Sequence, residues 1–357
     1  MKSMRQCLAL LLALALCLSL LSGCAGKKKN NPAPDAASSA AVEAEQSAPA
    51  AETEPAAESG SAAASESAAA SEGAESIAQE TSAAASVEAE PQAAPAADAP
   101  YDTSAKMDVT GVDFDALSQL DNTSMDYGFA KDDRDELNRP NGIYYYDRFY
   151  KDHGGVTHID TTEDLIFLTM DEGYEAGHTN DILDTLKEKN VKSVFFITKQ
   201  FYDEHPELIQ RMIDEGHIIG NHSCAHKAGG MPQLGAQAQY EDYKWLNDAV
   251  YEKFGYQMKL FRFPEGVSSP QSCELLNQMG YKSVFWSFAY RDFVLEDQMD
   301  PADALDQCLD QLHPGAIYLL HAVSATNTEI LADFIDSARA GGYEFGVFPV
   351  ETAPALK

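Results

Sequence analysis

The chain has 357 residues, and its 57 acidic against 25 basic side chains give a net charge of −32 at pH 7. This charge repels polyanions and argues against nucleic-acid binding, although it also serves simply to keep a secreted protein soluble. No Phe, Trp or Tyr precedes Tyr101, and residues 31–105 contain no Lys or Arg. Only the C-terminal part of the chain therefore has the composition of a folded domain.

The first residues have the layout of a secretion signal. Lys2 and Arg5 precede an apolar run from Leu8 to Leu21, which is too short for a comfortable membrane span. The LSGC sequence that ends at Cys24 resembles a bacterial lipobox, which implies cleavage before Cys24 and lipid attachment to its thiol. Acyl chains would hold the protein on the outer face of the cell membrane, facing the cell wall. An ordinary signal peptide or an uncleaved anchor is the alternative.

A tract rich in Ala, Glu, Ser and Pro follows the leader. Like charges extend such a tract and Pro stiffens it, so we predict a disordered, solvated tether. After it comes an aromatic cluster between Ile143 and Tyr150, whose tyrosines favour packing roles over stacking on sugar rings. The predicted division of the chain is a signal peptide at 1–23, a tether at 24–105, an N-terminal extension packed on a barrel at 106–160, and the main folded domain at 161–357.

From Asp164 onward, strand-like and helix-like segments alternate. The predicted strands are the apolar runs Leu165–Met170, Val194–Thr198, Ile218–Gly220, Lys259–Phe263, Ser283–Ser287, Ala316–His321 and Phe345–Val350. Strands that alternate with helices through right-handed crossovers form a parallel sheet. About seven such units predict an α/β fold, a distorted (β/α) barrel, with the functional residues at the strand C-termini.

Two groups of polar residues at these strand ends contain candidate metal ligands. Asp171 and Glu172 are adjacent carboxylates that end the first strand on Gly173. In GNHSCAH, His222 and His226 are the only two of the nine histidines whose one-turn spacing lets both imidazoles reach one cation. Such a pair alone is more often two core or surface histidines, and the acidic strand end upstream favours metal binding.

Two further groups follow later strands. RFPEG spans Arg262 to Gly266, where the arginine is either a surface residue or fixes a catalytic carboxylate by bidentate hydrogen bonding. LLHAVS places His321 at the end of an apolar strand, where a lone histidine is usually a satisfied core residue. Its position at the same rim as the other groups indicates a role in one shared site.

In this order, TMDEG, HSCAH, RFPEG, WSFAYRDF and LLHAVS resemble the successive motifs of the polysaccharide deacetylase family, carbohydrate esterase family 4. DEGYEAG, MIDEGHIIGNHS and HPGAIYLLH resemble its delta-lactam-biosynthetic de-N-acetylase branch. The resemblance covers roughly Asp121 to the C-terminus and makes 161–357 the deacetylase domain. It implies a (β/α) barrel, a divalent metal, usually zinc with cobalt or manganese as alternatives, and removal of N-acetyl groups from peptidoglycan, at N-acetylmuramic acid in that branch.

The resemblance also implies residue roles. Asp171 would be the general base, oriented by Arg262, and His321 the general acid. Asp292 is our candidate for the negative partner of the His321 imidazolium. The implied metal ligands are Glu172, His222 and His226, and the candidate substrate-binding residues are Pro264, Glu265, Gly266 and Trp286.

Three positions depart from the commoner family pattern. Glu172 replaces an aspartate and either binds the ion with shifted geometry or leaves that place to water. Glu265 replaces an aromatic residue, and Phe293 replaces a frequent tryptophan. Cys224, Cys273 and Cys308 permit at most one internal disulfide, whose pair the sequence does not select.

Two function classes stay open. The first is a lipid-anchored, metal-dependent peptidoglycan deacetylase, a monomer whose partners are glycan strands and the membrane. The other is a cell-wall glycan-binding lipoprotein with weakened or lost turnover. A deacetylase acting on N-acetylglucosamine of the vegetative wall is a variant of the first.

Overall fold

The structure is a computed structural model that describes residues 101–351. The predicted signal peptide, Cys24 and nearly all of the predicted tether lie outside the described residues, so those interpretations remain predictions. Within the described part, no helix combines the length and apolar character that a membrane crossing requires.

The described strands are short and the helices are longer. The strands are β1 Gly155–Val156, β2 Leu165–Glu172, β3 Val194–Ile197, β4 Ile218–Asn221, β5 Leu260–Phe261, β6 Lys282–Val284, β7 Phe288–Ala289, β8 Ala316–His321 and β9 Glu344–Phe345. The α-helices are α1 Phe114–Leu117, α2 Asn141–Tyr150, α3 Thr179–Glu188, α4 Lys199–Glu204, α5 Pro206–Asp214, α6 Gly235–Phe254, α7 Pro270–Gln278, α8 Pro301–Asp310 and α9 Ala325–Ala340. β9 is shorter than the predicted Phe345–Val350 strand, since its pairing with β2 stops at Phe345.

All strand pairings within residues 101–351 are parallel, and β2 lies at the centre of the sheet. β3 pairs with one side of β2 and β8 with the other, so that Asp171 is directly paired with His321. Every residue of β2 after Leu165 is buried, as expected for a strand covered on both faces.

β6 and β7 are two parts of one extended segment. β6 pairs with β5 and β1, whereas β7 pairs with β8. Between them, the Ser287 backbone N–H donates to the Ile317 carbonyl at 3.0 Å. The parallel sheet is therefore curled, with β2 in its middle and β7 beyond β8, which confirms the predicted distorted (β/α) barrel fold.

The helices cover the barrel with the apolar faces that the sequence predicts. In α5, Leu208, Ile209, Met212 and Ile213 are all buried. α6 ends at Phe254 and is followed by Gly255, whose left-handed φ of 64° and ψ of 20° form a C-cap that favours glycine.

The segment before β2 packs on the barrel. The Tyr101 hydroxyl donates to the Gln257 carbonyl at 2.7 Å, and the Tyr150 ring stacks on Phe285 with centroids 4.2 Å apart. Tyr145 and Phe149 of α2 remain exposed, so the predicted packing role holds for only part of the aromatic cluster.

Candidate active site

Arg262 and Asp171 form a buried ion pair inside the barrel. The fully buried Arg262 donates from Nη1 to Asp171 Oδ1 and from Nη2 to Thr169 Oγ1, both at 2.8 Å. Its guanidinium also bonds the carbonyls of Val284 and Phe285. Burial raises the pKa of Asp171, but the charge and hydrogen bond of Arg262, together with the nearby imidazoles of His222 and His321, lower it by more, so the pKa lies below its usual value. Asp171 is therefore an ionised carboxylate that can accept a proton.

His222 lies against the second oxygen of this carboxylate. Its Nδ1 is 2.8 Å from the Arg262 carbonyl, so Nδ1 carries the proton and donates, and Nε2 keeps its lone pair. Nε2 is 3.5 Å from Asp171 Oδ2. Burial lowers the pKa of His222 to about 4, so the imidazole is neutral at neutral pH.

His226 reaches His222 through a turn and not through a helix. The two ring centroids are 5.1 Å apart. Ser223 and His226 have positive φ angles of 71° and 38°, and the Ser223 hydroxyl accepts the His226 backbone N–H at 3.0 Å. The two imidazoles meet as the spacing predicts, but the left-handed backbone that brings them together leaves no signal in the sequence.

Glu172 lies on the opposite face of β2 from Asp171, because successive strand residues alternate between faces. Its side chain is fully buried, and neither carboxylate oxygen has a hydrogen-bond partner within residues 101–351. Burial raises the pKa of Glu172, and the charges of Glu175 and Asp171 raise it further. The structure thus does not bring Glu172 to the two histidines.

The family resemblance implies a metal, and the chemistry of the two imidazoles fits one. His222 is neutral, and its Nε2 lone pair is not used by a hydrogen bond to the backbone. In the described part of the chain, however, no group of three or more His, Cys, Asp or Glu side chains is arranged to hold a metal ion. His222 and His226 therefore form a two-nitrogen site whose third protein ligand is not assembled.

His321, at the end of β8, is held by Asp292. Its Nδ1 bonds Asp292 Oδ1 at 2.7 Å, and its backbone N–H donates to Asp292 Oδ2 at 2.8 Å. Burial lowers the pKa of His321, but the charge and hydrogen bond of Asp292, together with the charge of Asp171, raise it by more, so the pKa is raised. The ring is half-buried, so its remaining nitrogen, Nε2, is available to donate a proton.

The candidate substrate-binding residues lie near Arg262. The Trp286 ring centroid is 5.9 Å from Arg262 Cζ, and a Cβ added to Gly266 would lie 2.7 Å from the Trp286 ring. Gly266 has a φ of +70°, so this position needs glycine for both space and backbone conformation. Glu265 is exposed and accepts the Gly229 N–H at 3.0 Å, whereas Pro264 is buried beneath it.

Sequence reasoning missed two residues that touch these groups. Thr169 accepts a hydrogen bond from Arg262, and its place two residues before Asp171 on the same strand face could have indicated it. Asn327 donates to Asp292 Oδ2 at 2.6 Å from the first turn of α9. No short-range pattern connects Asn327 to Asp292.

Comparisons with known proteins place the chain in a family. The family model described as polysaccharide deacetylase matches residues 158–284. The peptidoglycan-N-acetylmuramic acid deacetylase PdaA of Bacillus subtilis is 41% identical over 204 residues, which cover 57% of this chain and 74% of that protein. The chain belongs to the polysaccharide deacetylase family, carbohydrate esterase family 4.

Two more comparisons place this polysaccharide deacetylase among its relatives. The solved structure of Bacillus subtilis PdaA, a family 4 carbohydrate esterase, superposes with a TM-score of 0.60 at 36% identity and covers 63% of this chain and 95% of that chain. The peptidoglycan-N-acetylglucosamine deacetylase PgdA of Listeria monocytogenes is 32% identical over 192 residues, which cover 52% of this chain and 38% of that protein. Membership of the family makes the chain a hydrolase of the polysaccharide deacetylase type.

Proposed function

We propose that the protein is a metal-dependent hydrolase that removes N-acetyl groups from peptidoglycan amino sugars. The observation that carries this proposal is the pairing of Asp171 with His321 across β2 and β8. The pKa of Asp171 is lowered and the pKa of His321 is raised, so a base and an acid lie at neighbouring strand ends.

Amide hydrolysis needs a water made nucleophilic and a proton for the departing amine. Asp171 takes the proton of the attacking water, and Arg262 keeps that carboxylate ionised and oriented. His321 gives a proton from Nε2 to the sugar nitrogen, while Asp292 stabilises the imidazolium. A binding protein has no need of both groups.

When bound, a divalent metal, zinc with cobalt or manganese as alternatives, supplies Lewis-acid activation of water and of the acetyl carbonyl. His222 and His226 are the residues that would hold it. Glu172 is the third ligand that the family pattern implies, and it would have to leave the face of β2 on which it is buried. Zinc titration of Glu172→Gln tests whether Glu172 is a ligand. Replacing a ligating carboxylate by an amide weakens zinc binding, whereas replacing a carboxylate that does not bind zinc leaves it unchanged.

N-Acetylmuramic acid is the substrate that we propose, as in muramic delta-lactam formation. The support is the similarity to PdaA, which is greater in identity and in coverage than the similarity to the N-acetylglucosamine deacetylase PgdA. N-Acetylglucosamine of the vegetative wall is the alternative sugar.

We propose that the folded domain, a monomer, acts from the outer face of the cell membrane. The support is the leader sequence, with a signal peptide at 1–23, lipid on Cys24 and a tether at 24–105 that precedes the extension at 106–160 and the deacetylase domain at 161–357. Incorporation of radiolabelled fatty acid into the wild-type chain and not into Cys24→Ser is expected. Equal labelling of the two proteins would remove the anchor from the proposal.

The activity is tested by acetate release from muropeptides and chitooligomers with added zinc, cobalt or manganese. We expect acetate from muropeptides, and mass spectrometry of a strain that lacks the protein should show muropeptides that retain the acetyl group. No acetate with any metal would favour a glycan-binding lipoprotein, for which the burial of Glu172 away from the histidines is the supporting observation.

A further inference from the structure

A buried hydrogen-bond network surrounds Asp292 behind the proposed acid. The carboxylate accepts bonds from Nδ1 and the backbone N–H of His321, and from the side-chain amide of Asn327 at 2.6 Å. The same amide donates to the His321 carbonyl at 3.1 Å. Asn327 thus bonds both the carboxylate that holds the imidazole and the backbone that carries it.

Tyr290 sets the orientation of this amide. Its hydroxyl donates to Asn327 Oδ1, and burial raises the pKa of Tyr290, so the phenol remains a donor. Because Oδ1 is occupied by that hydroxyl, the NH₂ group must face Asp292 and His321. Asn327 is buried with each of its polar atoms paired.

The start of α9 holds Asn327 in place. Its backbone N–H donates to the hydroxyl of the N-cap residue Ser324 at 3.1 Å. That hydroxyl donates to Gln298 Oε1 at 2.6 Å, and Gln298 Nε2 bonds the Asp292 carbonyl at 2.8 Å. The loop that carries Asp292 and the helix that carries Asn327 are therefore joined by side chains as well.

We propose that Asn327 is a positioning residue that fixes the Asp292–His321 pair, so that Nε2 of His321 is directed at the substrate nitrogen. This inference rests on the proposed function, in which His321 is the acid. Without Asn327, Asp292 loses a donor and the Tyr290 hydroxyl loses its acceptor, so both side chains can adopt other rotamers. The acid is then misaligned, although substrate binding is retained.

Several charged groups act on His321 together. Burial and the charge of Arg262 oppose the protonated form of His321, whereas Asp292 and Asp171 favour it. A variant that only lowers the stability of the fold leaves these charges, and therefore the pKa of His321, unchanged. The titration of the His321 imidazole therefore separates a positioning role from a merely structural one.

The test uses the full chain with Asn327→Leu, Asn327→Asp and a matched control, Asn247→Leu. Asn247 is also fully buried, and its Oδ1 accepts bonds from the Tyr281 hydroxyl at 2.8 Å and from Gln257 Nε2 at 2.7 Å, but on α6. The measurements are kcat and KM for acetate release, thermal unfolding, and the imidazole titration of His321 by long-range ¹H–¹⁵N NMR, which needs no substrate.

We expect Asn327→Leu to lower kcat about tenfold with KM within about twofold, the size expected for losing one buried charge-assisted hydrogen bond. In Asn327→Asp, burial and the charge of Asp292 keep the new carboxyl group protonated, so it still donates to Asp292 and should restore part of kcat. The His321 titration midpoint should fall in Asn327→Leu, because a loosened Asp292 stabilises the imidazolium less, whereas Asn247→Leu should leave kcat and midpoint unchanged. Unchanged kcat in folded Asn327→Leu, an equal loss in Asn247→Leu, or an unmoved midpoint in Asn327→Leu would overturn the inference. If the wild type releases no acetate, the proposed function fails and the titration still decides the positioning role.

Discussion

Replacing Arg262 with methionine removes the cation of the buried ion pair with Asp171. The guanidinium donates to Asp171, to Thr169 and to two backbone carbonyls, and methionine donates to none of them. Breaking one side of a buried pair typically costs about 3–5 kcal/mol, because the remaining charge stays buried. At roughly 2–4 °C per kcal/mol for a domain of this size, the melting temperature should fall by roughly 6–20 °C.

The loss should depend on pH with a defined sign. In the wild type the pKa of Asp171 is lowered, because Arg262, His222 and His321 together outweigh the opposing effect of burial. Its contribution to stability is therefore present above the unfolded pKa of about 3.9 and is lost as the pH falls through the folded value. In Arg262→Met, burial without the cation raises the pKa of Asp171, so the variant loses stability as the pH rises above about 4. The difference between the two proteins should grow from pH 4 to pH 7.

Urea and thermal unfolding at several pH values measure this difference, with two comparison variants. The double variant Asp171→Leu/Arg262→Met should lose less stability than Arg262→Met, since it leaves no unpaired charge. Lys199→Met, which removes an exposed ion pair with Asp203, should cost at most about 1 kcal/mol. A loss in Arg262→Met that does not change with pH, or an equal or larger loss in the double variant, would refute the reasoning.

Three further predictions concern the site. Asp171→Asn should abolish acetate release while the protein keeps its zinc, and His222→Ala should lose both acetate release and zinc. Equal loss of zinc in the two variants would overturn the assigned roles. Asp292→Asn should lower the pKa of His321, because the charge of Asp292 raises it. The high-pH limb of the kcat/KM profile should then move to lower pH. An unmoved limb would show that His321 is not the general acid. The melting temperature of Glu172→Gln should be no lower than that of the wild type at pH 7, since burial already disfavours the charged form of Glu172. The zinc affinity of this variant, measured by titration, should stay within about threefold of the wild-type affinity, which is less than 1 kcal/mol. A larger loss of affinity would identify Glu172 as a ligand.

Local patterns were sufficient to predict much of the barrel. The run from Leu165 to Met170 is a buried strand, as its apolar character predicts. Alternation of strand and helix predicted the parallel sheet. The expectation that polar residues at strand ends share one rim agrees with the contact of Arg262 with Asp171 and with the pairing of Asp171 with His321. These inferences succeed because strand and helix periodicity depend on neighbours in the chain.

The fine arrangement of the site depended on the tertiary structure. The Lys282–Ala289 segment changes partners from β5 to β8, which no hydrophobic pattern encodes. The partner of Asp292 on α9 lies 35 positions away, and its contact exists only because β8 and α9 pack beside the loop.

The amino-acid sequence by itself determined which residue types reach the rim of the barrel. It did not determine which face each side chain occupies: Asp171 meets Arg262 inside the barrel, whereas the adjacent Glu172 is buried on the other face without a hydrogen-bond partner among the described residues. That separation follows from strand alternation combined with the twist and packing of the curled sheet, and packing is a property of the whole fold and not of any short stretch.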